Sequence, residues 1–151
     1  MKKIIIFLIF SLVTYFCFFI KNQSRPEGEC KAEISFIKGN ERMNIVSFQN
    51  LDSGQGTISI SGVLYNGKKI SGYLSKTVNF TYKKNGDNYL VRSDLILNSP
   101  QMTLTPDVEK RWLPDFFITK GQSLLWKIKH LNNRSWLVYS ETVPLYLCEK
   151  N

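Results

Sequence analysis

From residue 30 onward, apolar and polar residues alternate with a period of two. Cys30, Ala32, Ile34 and Phe36 alternate with Lys31, Glu33 and Ser35, and Ile58, Ile60 and Leu64 lie opposite Thr57, Ser59 and Ser61. Val78, Phe80 and Tyr82 alternate with Thr77, Asn79 and Thr81, the pattern groups Tyr89, Val91, Leu95 and Leu97 on one face, and Leu124, Trp126 and Ile128 oppose Lys127 and Lys129. Such alternation predicts antiparallel strands that turn one face to a core and the other to water. Turn signals fall between the runs at Gly39-Asn40, Asp52-Ser53-Gly54, Asn66-Gly67, Asn85-Gly86 and Asn132-Asn133. Asn-Gly between alternating runs predicts a type I′ hairpin, because both central residues then need positive φ. The count comes to about eight strands. The stretch from Gly67 to Lys84 is long for one strand, so a bulge or bend is expected at Ser71-Gly72.

One segment breaks the period. Thr105 stands as a cap, Pro106 takes the first helical position, Asp107 and Glu109 fill the first turn, and Lys110 and Arg111 come next. These are the signals of a helix start, and Pro114 ends it after about two turns. Val108, Trp112 and Leu113 would form its apolar side, able to plug a barrel end or cover a sheet edge. The expected fold is all-β: about eight antiparallel strands in a meander curled into a barrel-like sheet, crossed by one short helix.

The first residues carry a different pattern. Ile4 to Ile20 are 17 residues without a charge, flanked by Lys2-Lys3 and Lys21. Helical, they span roughly 25 Å, the short end of what a bilayer accepts. No small-x-small cleavage site occurs as far as Glu29, and Phe16 before Cys17 spoils a lipoprotein signal. The leader therefore reads as an uncleaved transmembrane signal-anchor over residues 1–20, with cleavage as its alternative. Residues 21–29 are a polar tether, and residues 30–151 are the β domain. Lys2-Lys3 favours a cytoplasmic N-terminus, while Lys21 and Arg25 oppose it. An apolar stretch this near the start normally exports the remainder of the chain, so the expected location is a bacterial inner membrane, single-pass, with the domain in the periplasm.

Cysteine use agrees with export. Cys17 lies inside the apolar stretch, which leaves Cys30 and Cys148 at opposite ends of the domain. In an oxidising compartment such a pair reads as one disulfide stapling first strand to last. The alternative is two unrelated buried thiols.

Candidate chemistry is thin. The chain has 151 residues, one His and three Cys, too few for most zinc sites, and Asp87, Asp94, Asp107 and Asp115 lack calcium-loop spacing. His130 has no second His to work with and reads as structural or exposed. Arg92 and Asp94 share a strand face and suggest a surface ion pair. The sequence holds no P-loop, no G-x-G-x-x-G and no G-x-S-x-G, and Ser71 to Lys76 is not enough for a Ser-Lys dyad. No enzyme, no metal and no cofactor are expected. The net charge of +8 is spread over Lys68-Lys69, Lys83-Lys84, Lys110-Arg111 and Lys127/Lys129. Tyr82, Tyr89 and Trp126 interleave with it, but on the exported side there is no nucleic acid to read, so these charges read as a solvated face. Aromatic residues are abundant. Phe80, Tyr82, Tyr89, Trp112, Trp126 and Trp136 are the candidates for lining a cavity or facing a partner protein, against the alternative of an ordinary aromatic-rich core.

The layout also resembles a known family. A short anchor, Cys30-Lys31-Ala32 opening the first strand, Trp136-Leu137-Val138, Ser140 and Pro144, and Leu145-Tyr146-Leu147-Cys148 at the close are similar to the FidL-like enterobacterial membrane proteins. The resemblance covers nearly the whole chain. It implies a position beside membrane transcription regulators of the ToxR type, similar to that of the ToxS, PsaF and VtrC partners. It further implies a lipocalin-like barrel, a heterodimer with the regulator's periplasmic domain, and a small apolar or bile-salt-like ligand, as in the Vibrio pair. The expected function is a single-pass accessory protein whose periplasmic domain binds and stabilises the sensory domain of such a regulator and contributes to an amphipathic-ligand cavity. Its rivals are a stand-alone lipocalin-like carrier of the envelope and an assembly subunit completed by a partner's strand.

Overall fold

A computed structural model describes residues 11–15, 28–140 and 142–150. Eight strands succeed one another: β1 (Gly28–Lys38), β2 (Glu41–Asp52), β3 (Gln55–Asn66), β4 (Lys69–Asn85), β5 (Asn88–Asn98), β6 (Ser123–Asn132), β7 (Ser135–Ser140) and β8 (Val143–Glu149). Each pairs antiparallel with the next, and β8 returns to β1 to close a barrel. Between β5 and β6 the chain forms a helix, α1 (Pro106–Trp112), and a 3₁₀ turn, Asp115–Phe117. The meander needs only short connections, which is why turn chemistry governs it.

The turns differ from expectation in one respect. In β1–β2, β3–β4 and β4–β5 the two linking residues are Gly39-Asn40, Gly67-Lys68 and Gly86-Asp87, with φ of 60°, 60° and 59° at the glycines. Asn66 and Asn85 are not turn centres but the last residues of their strands. Positive φ at the first central residue alone is the type II′ pattern, not type I′. Only Ser53-Gly54 has positive φ at both positions, 45° and 88°.

Bulges set which side chains reach the core. In β4, Leu64 faces Gly72 and Tyr65 faces Ile70, so Ser71 is the extra residue, as the length of the strand predicts. In β5, Asn79 faces Leu95 but Phe80 faces Ser93, which leaves Asp94 extra. That one-residue slip turns the rest of the strand over. Tyr89 and Val91 are buried, while Leu95 and Leu97 are 45% and 51% exposed, so the four do not share the inner face as their alternation suggests. Outside, the barrel carries polar cross-strand pairs such as Ser35 with Asn44, Thr57 with Asn79 and Ser59 with Thr77, each at 3.0 Å.

The helix forms where its signals place it, with Thr105 extended and Pro106 first, although the Thr105 side chain makes no cap hydrogen bond. Leu113 is extended and stops it. Trp112, Leu113 and Phe116 enter the core from this segment, which stoppers one end of the barrel. At the opposite end Cys30 and Cys148 form a disulfide, with Cα atoms 5.5 Å apart. The domain begins at Gly28, so Gly28 and Glu29 belong to β1 rather than to the tether. The Ile4–Ile20 leader and residues 21–27 lie outside the described residues except for 11–15, which are helical. Among the described residues no helix is long and apolar enough to cross a membrane.

Candidate functional site

The barrel interior is packed with aromatic rings at its centre. Phe80 of β4 meets Trp126 of β6 edge to face at 5.4 Å and Phe116 of the 3₁₀ turn at 5.7 Å, and Phe116 meets Trp126 at the same separation. Period-two alternation sends Phe80 and Trp126 inward, and Pro114 turns the chain so that Phe116 enters the same space as Trp112.

Beside this cluster lies a partly open cavity of about 100 Å³, with the half-buried Ile34, Phe36, Leu145 and Tyr146 among its lining. Ile34, Ile45, Ile58 and Leu124 supply apolar wall from the strands, and Trp112 and Phe117 form its cover on the stoppered side. Ser47, Trp112 and Trp126 in this wall each carry a buried polar atom with no hydrogen-bond partner: the hydroxyl and the two indole N–H groups. Leaving such a group unpaired costs about 1–3 kcal/mol each. An indole N–H only donates, so whatever satisfied these groups would offer acceptor oxygens on an otherwise apolar body. Tyr146 is the one titratable side chain in the wall. Its hydroxyl donates to Gln49 Oε1 at 2.8 Å, and burial pushes its pKa well above the ordinary phenol value.

The cover is fixed by charge. Lys76 points inward from β4, where its side chain is 2% exposed, and its ammonium pairs with the Glu109 carboxylate of α1. The same nitrogen donates to the Phe117 carbonyl at 2.9 Å. Ser93 Oγ donates to the Thr119 carbonyl at 3.0 Å, Lys38 donates to the Arg111 carbonyl, and Arg111 bonds Glu41 at 3.1 Å. Stopper and wall are thus joined at Glu109, Arg111, Phe117 and Thr119.

Of the aromatic candidates, Trp112 and Trp126 line the cavity, and Phe80 supports Trp126 from behind. Tyr89 and Trp136 are buried elsewhere in the barrel. Tyr82 is half-buried against Tyr89 at 5.6 Å, and Trp136 lies 5.9 Å from the exposed His130. The candidates therefore divide between cavity and core, and none of the six is exposed on the outer wall. Arg92 and Asp94, expected to pair, are both exposed, but no ion pair joins them among the described residues. Among the described residues no cluster of three or more His, Cys, Asp and Glu is placed to hold a metal. Ser47, Lys76 and Glu109 were not legible as site residues, although Ser47 and Lys76 do occupy inward positions of the alternation.

Residues 27–148 match the YqeJ C-terminal domain family. The chain belongs to that family. The match spans the whole barrel from β1 to Cys148 and is not to the FidL-like proteins that the layout resembles. No curated protein shows significant sequence similarity to the chain.

Proposed function

We propose that this protein is a single-pass accessory protein of the bacterial inner membrane, its barrel exported to the periplasm. There the barrel binds and stabilises the sensory domain of a membrane transcription regulator of the ToxR type. The resemblance of the layout to FidL-like proteins supports the partner, and the apolar leader and the disulfide support the location. The observation that carries a binding role is the small, mostly apolar cavity whose lining includes three residues with unpartnered buried donors. At about 100 Å³ it falls well below the roughly 300–1,000 Å³ of pockets for drug-sized ligands. A bile-salt-sized guest therefore needs the stopper to move, whereas a small neutral molecule with carbonyl or ether oxygens fits as it stands.

Purification of the full chain from native membranes in mild detergent tests the partner. Stoichiometric recovery of a regulator with one membrane span supports the reading, and recovery of the chain alone at native expression overturns it. The same cavity favours a second reading, a stand-alone lipocalin-like carrier. Native mass spectrometry separates the two: an apolar guest retained by the chain in the absence of any partner favours the carrier.

A further inference from the structure

The tip of the β6–β7 hairpin joins exposed apolar surface to positive charge. His130 faces Trp136 and Asn132 faces Ser135, so Leu131 is the extra residue of a bulge, and it is 59% exposed. Lys127, Lys129 and Arg134 belong to the same hairpin, and no Asp or Glu occurs between Phe116 and Ser140. The Lys129 ammonium lies 5.6 Å from the centroid of the Tyr139 ring, its stem lying along the outer wall. The Lys150 N–H bonds the Arg134 carbonyl at 2.8 Å, which brings a further cation to the tip. An open groove there has Arg134 and Lys150 in its lining, with Glu149 the one acid among the described residues that line it. No ion pair joins Lys129, Arg134, Lys150 or Glu149 to another charge among the described residues.

Connectivity puts this tip at the pole where the chain enters. Ser135 faces Glu149, Glu149 faces Lys31, and Gly28 opens the same strand. Residues 21–27 separate Gly28 from the apolar leader and reach about 25 Å at full extension. On the membrane location proposed above, a link of that length holds the entry pole close to the bilayer. Charge alone does not choose the tip. The β3–β4 turn sets Lys68 and Lys69 beside Ile70, 53% exposed, but at the stoppered pole. The eleven residues of β1, roughly 35 Å long, run from one pole to the other. The β2–β3 turn shares the entry pole, since Gly28 faces Leu51, yet it offers Asp52 and Ser53. The β6–β7 tip combines the chemistry with the position.

We propose that this tip rests on the bilayer surface. Leu131 enters the headgroup region, and Lys129, Arg134 and Lys150 pair with the phosphates of anionic phospholipid. The inference rests on the membrane location and is independent of which protein the barrel binds. Contact at the tip adds orientation to attachment: the entry pole lies against the membrane and the stoppered mouth faces away from it.

Photo-crosslinking of the full chain in native membranes tests this, with p-benzoylphenylalanine at Leu131, at Ser53 on the same pole, or at Ile70 on the far one. The expected result is several-fold more phospholipid adduct at Leu131 than at either control, with anionic lipid enriched over its share of the membrane. Arg134→Gln combined with Lys150→Gln should remove that enrichment. Adducts no more frequent at Leu131 than at a control, or adducts that simply follow lipid abundance, overturn the contact. A protein adduct at Leu131 in place of lipid overturns it in favour of a protein partner. Carbonate extraction separates contact from location. A chain retained in the membrane without lipid adduct at Leu131 loses only the contact, whereas a chain released by carbonate loses the location and the contact with it.

Discussion

The Lys76 ammonium and the Glu109 carboxylate pair inside the barrel, with side chains 2% and 6% exposed, and through that pair α1 is bound to the inner face of β4. A buried ion pair is poor evidence of net stability, because desolvation of both charges offsets their attraction. Its loss is asymmetric, however. Lys76→Met strands a buried carboxylate and should cost about 3–5 kcal/mol, whereas Lys76→Met combined with Glu109→Leu should recover most of it. Urea unfolding monitored by tryptophan fluorescence measures this. A single variant as stable as the wild type would mean that the pair does not hold the stopper.

The Cys30–Cys148 bond spans 118 residues of sequence. In the chain-entropy account a loop of this size is worth about 4–5 kcal/mol. Because the disulfide stands beside the one β1–β8 pair, Cys30→Ala with Cys148→Ala should also speed amide exchange at the start of β1 more than in β3. Equal protection in both strands, at an unchanged unfolding midpoint, contradicts that role.

Burial raises the Tyr146 pKa above its ordinary 10.0, so the folded state favours the neutral phenol. The associated stability is fully present below pH 10 and is lost as pH rises beyond it, because the unfolded state then ionises while the folded state does not. Tyr146→Phe should remove this alkaline loss and cost about 1 kcal/mol at neutral pH through the bond to Gln49. Difference absorbance titration should show one tyrosine fewer ionising in the wild type than after unfolding.

Ser47 places an unpartnered hydroxyl in the cavity wall. Ser47→Val removes that group and fills space, so it should stabilise the empty protein by about 1 kcal/mol. The same variant should weaken retention of a guest held through that hydroxyl. A melting temperature unchanged or lowered in the absence of guest would show that Ser47 already has a partner, such as an ordered water.

The strands were readable in the sequence because period-two alternation is enforced by burial on one face, as Ile58, Ile60 and Leu64 show. The turn residues were readable only as neighbourhoods. Asn66 and Asn85 stand next to the glycines with positive φ, and nothing local tells a type I′ turn from a type II′ turn shifted by one residue. Leu95 and Leu97 were misplaced because the slip at Asp94 is fixed by β4 across the ladder, a tertiary cause. Lys76 does fall in the inward register of Leu74, Val78 and Phe80, yet its partner Glu109 looks from the sequence like an ordinary first-turn acid. Sequence gives each position of that pair; only the fold brings them together. The cavity is likewise invisible in one dimension, since the void lies between residues that each look like core.

The disulfide and the α1 stopper occupy opposite poles of the barrel, and the chain enters at the disulfide pole. The stoppered mouth is thus the pole away from the chain's entry, so a label or support joined before Gly28 would leave that mouth unobstructed.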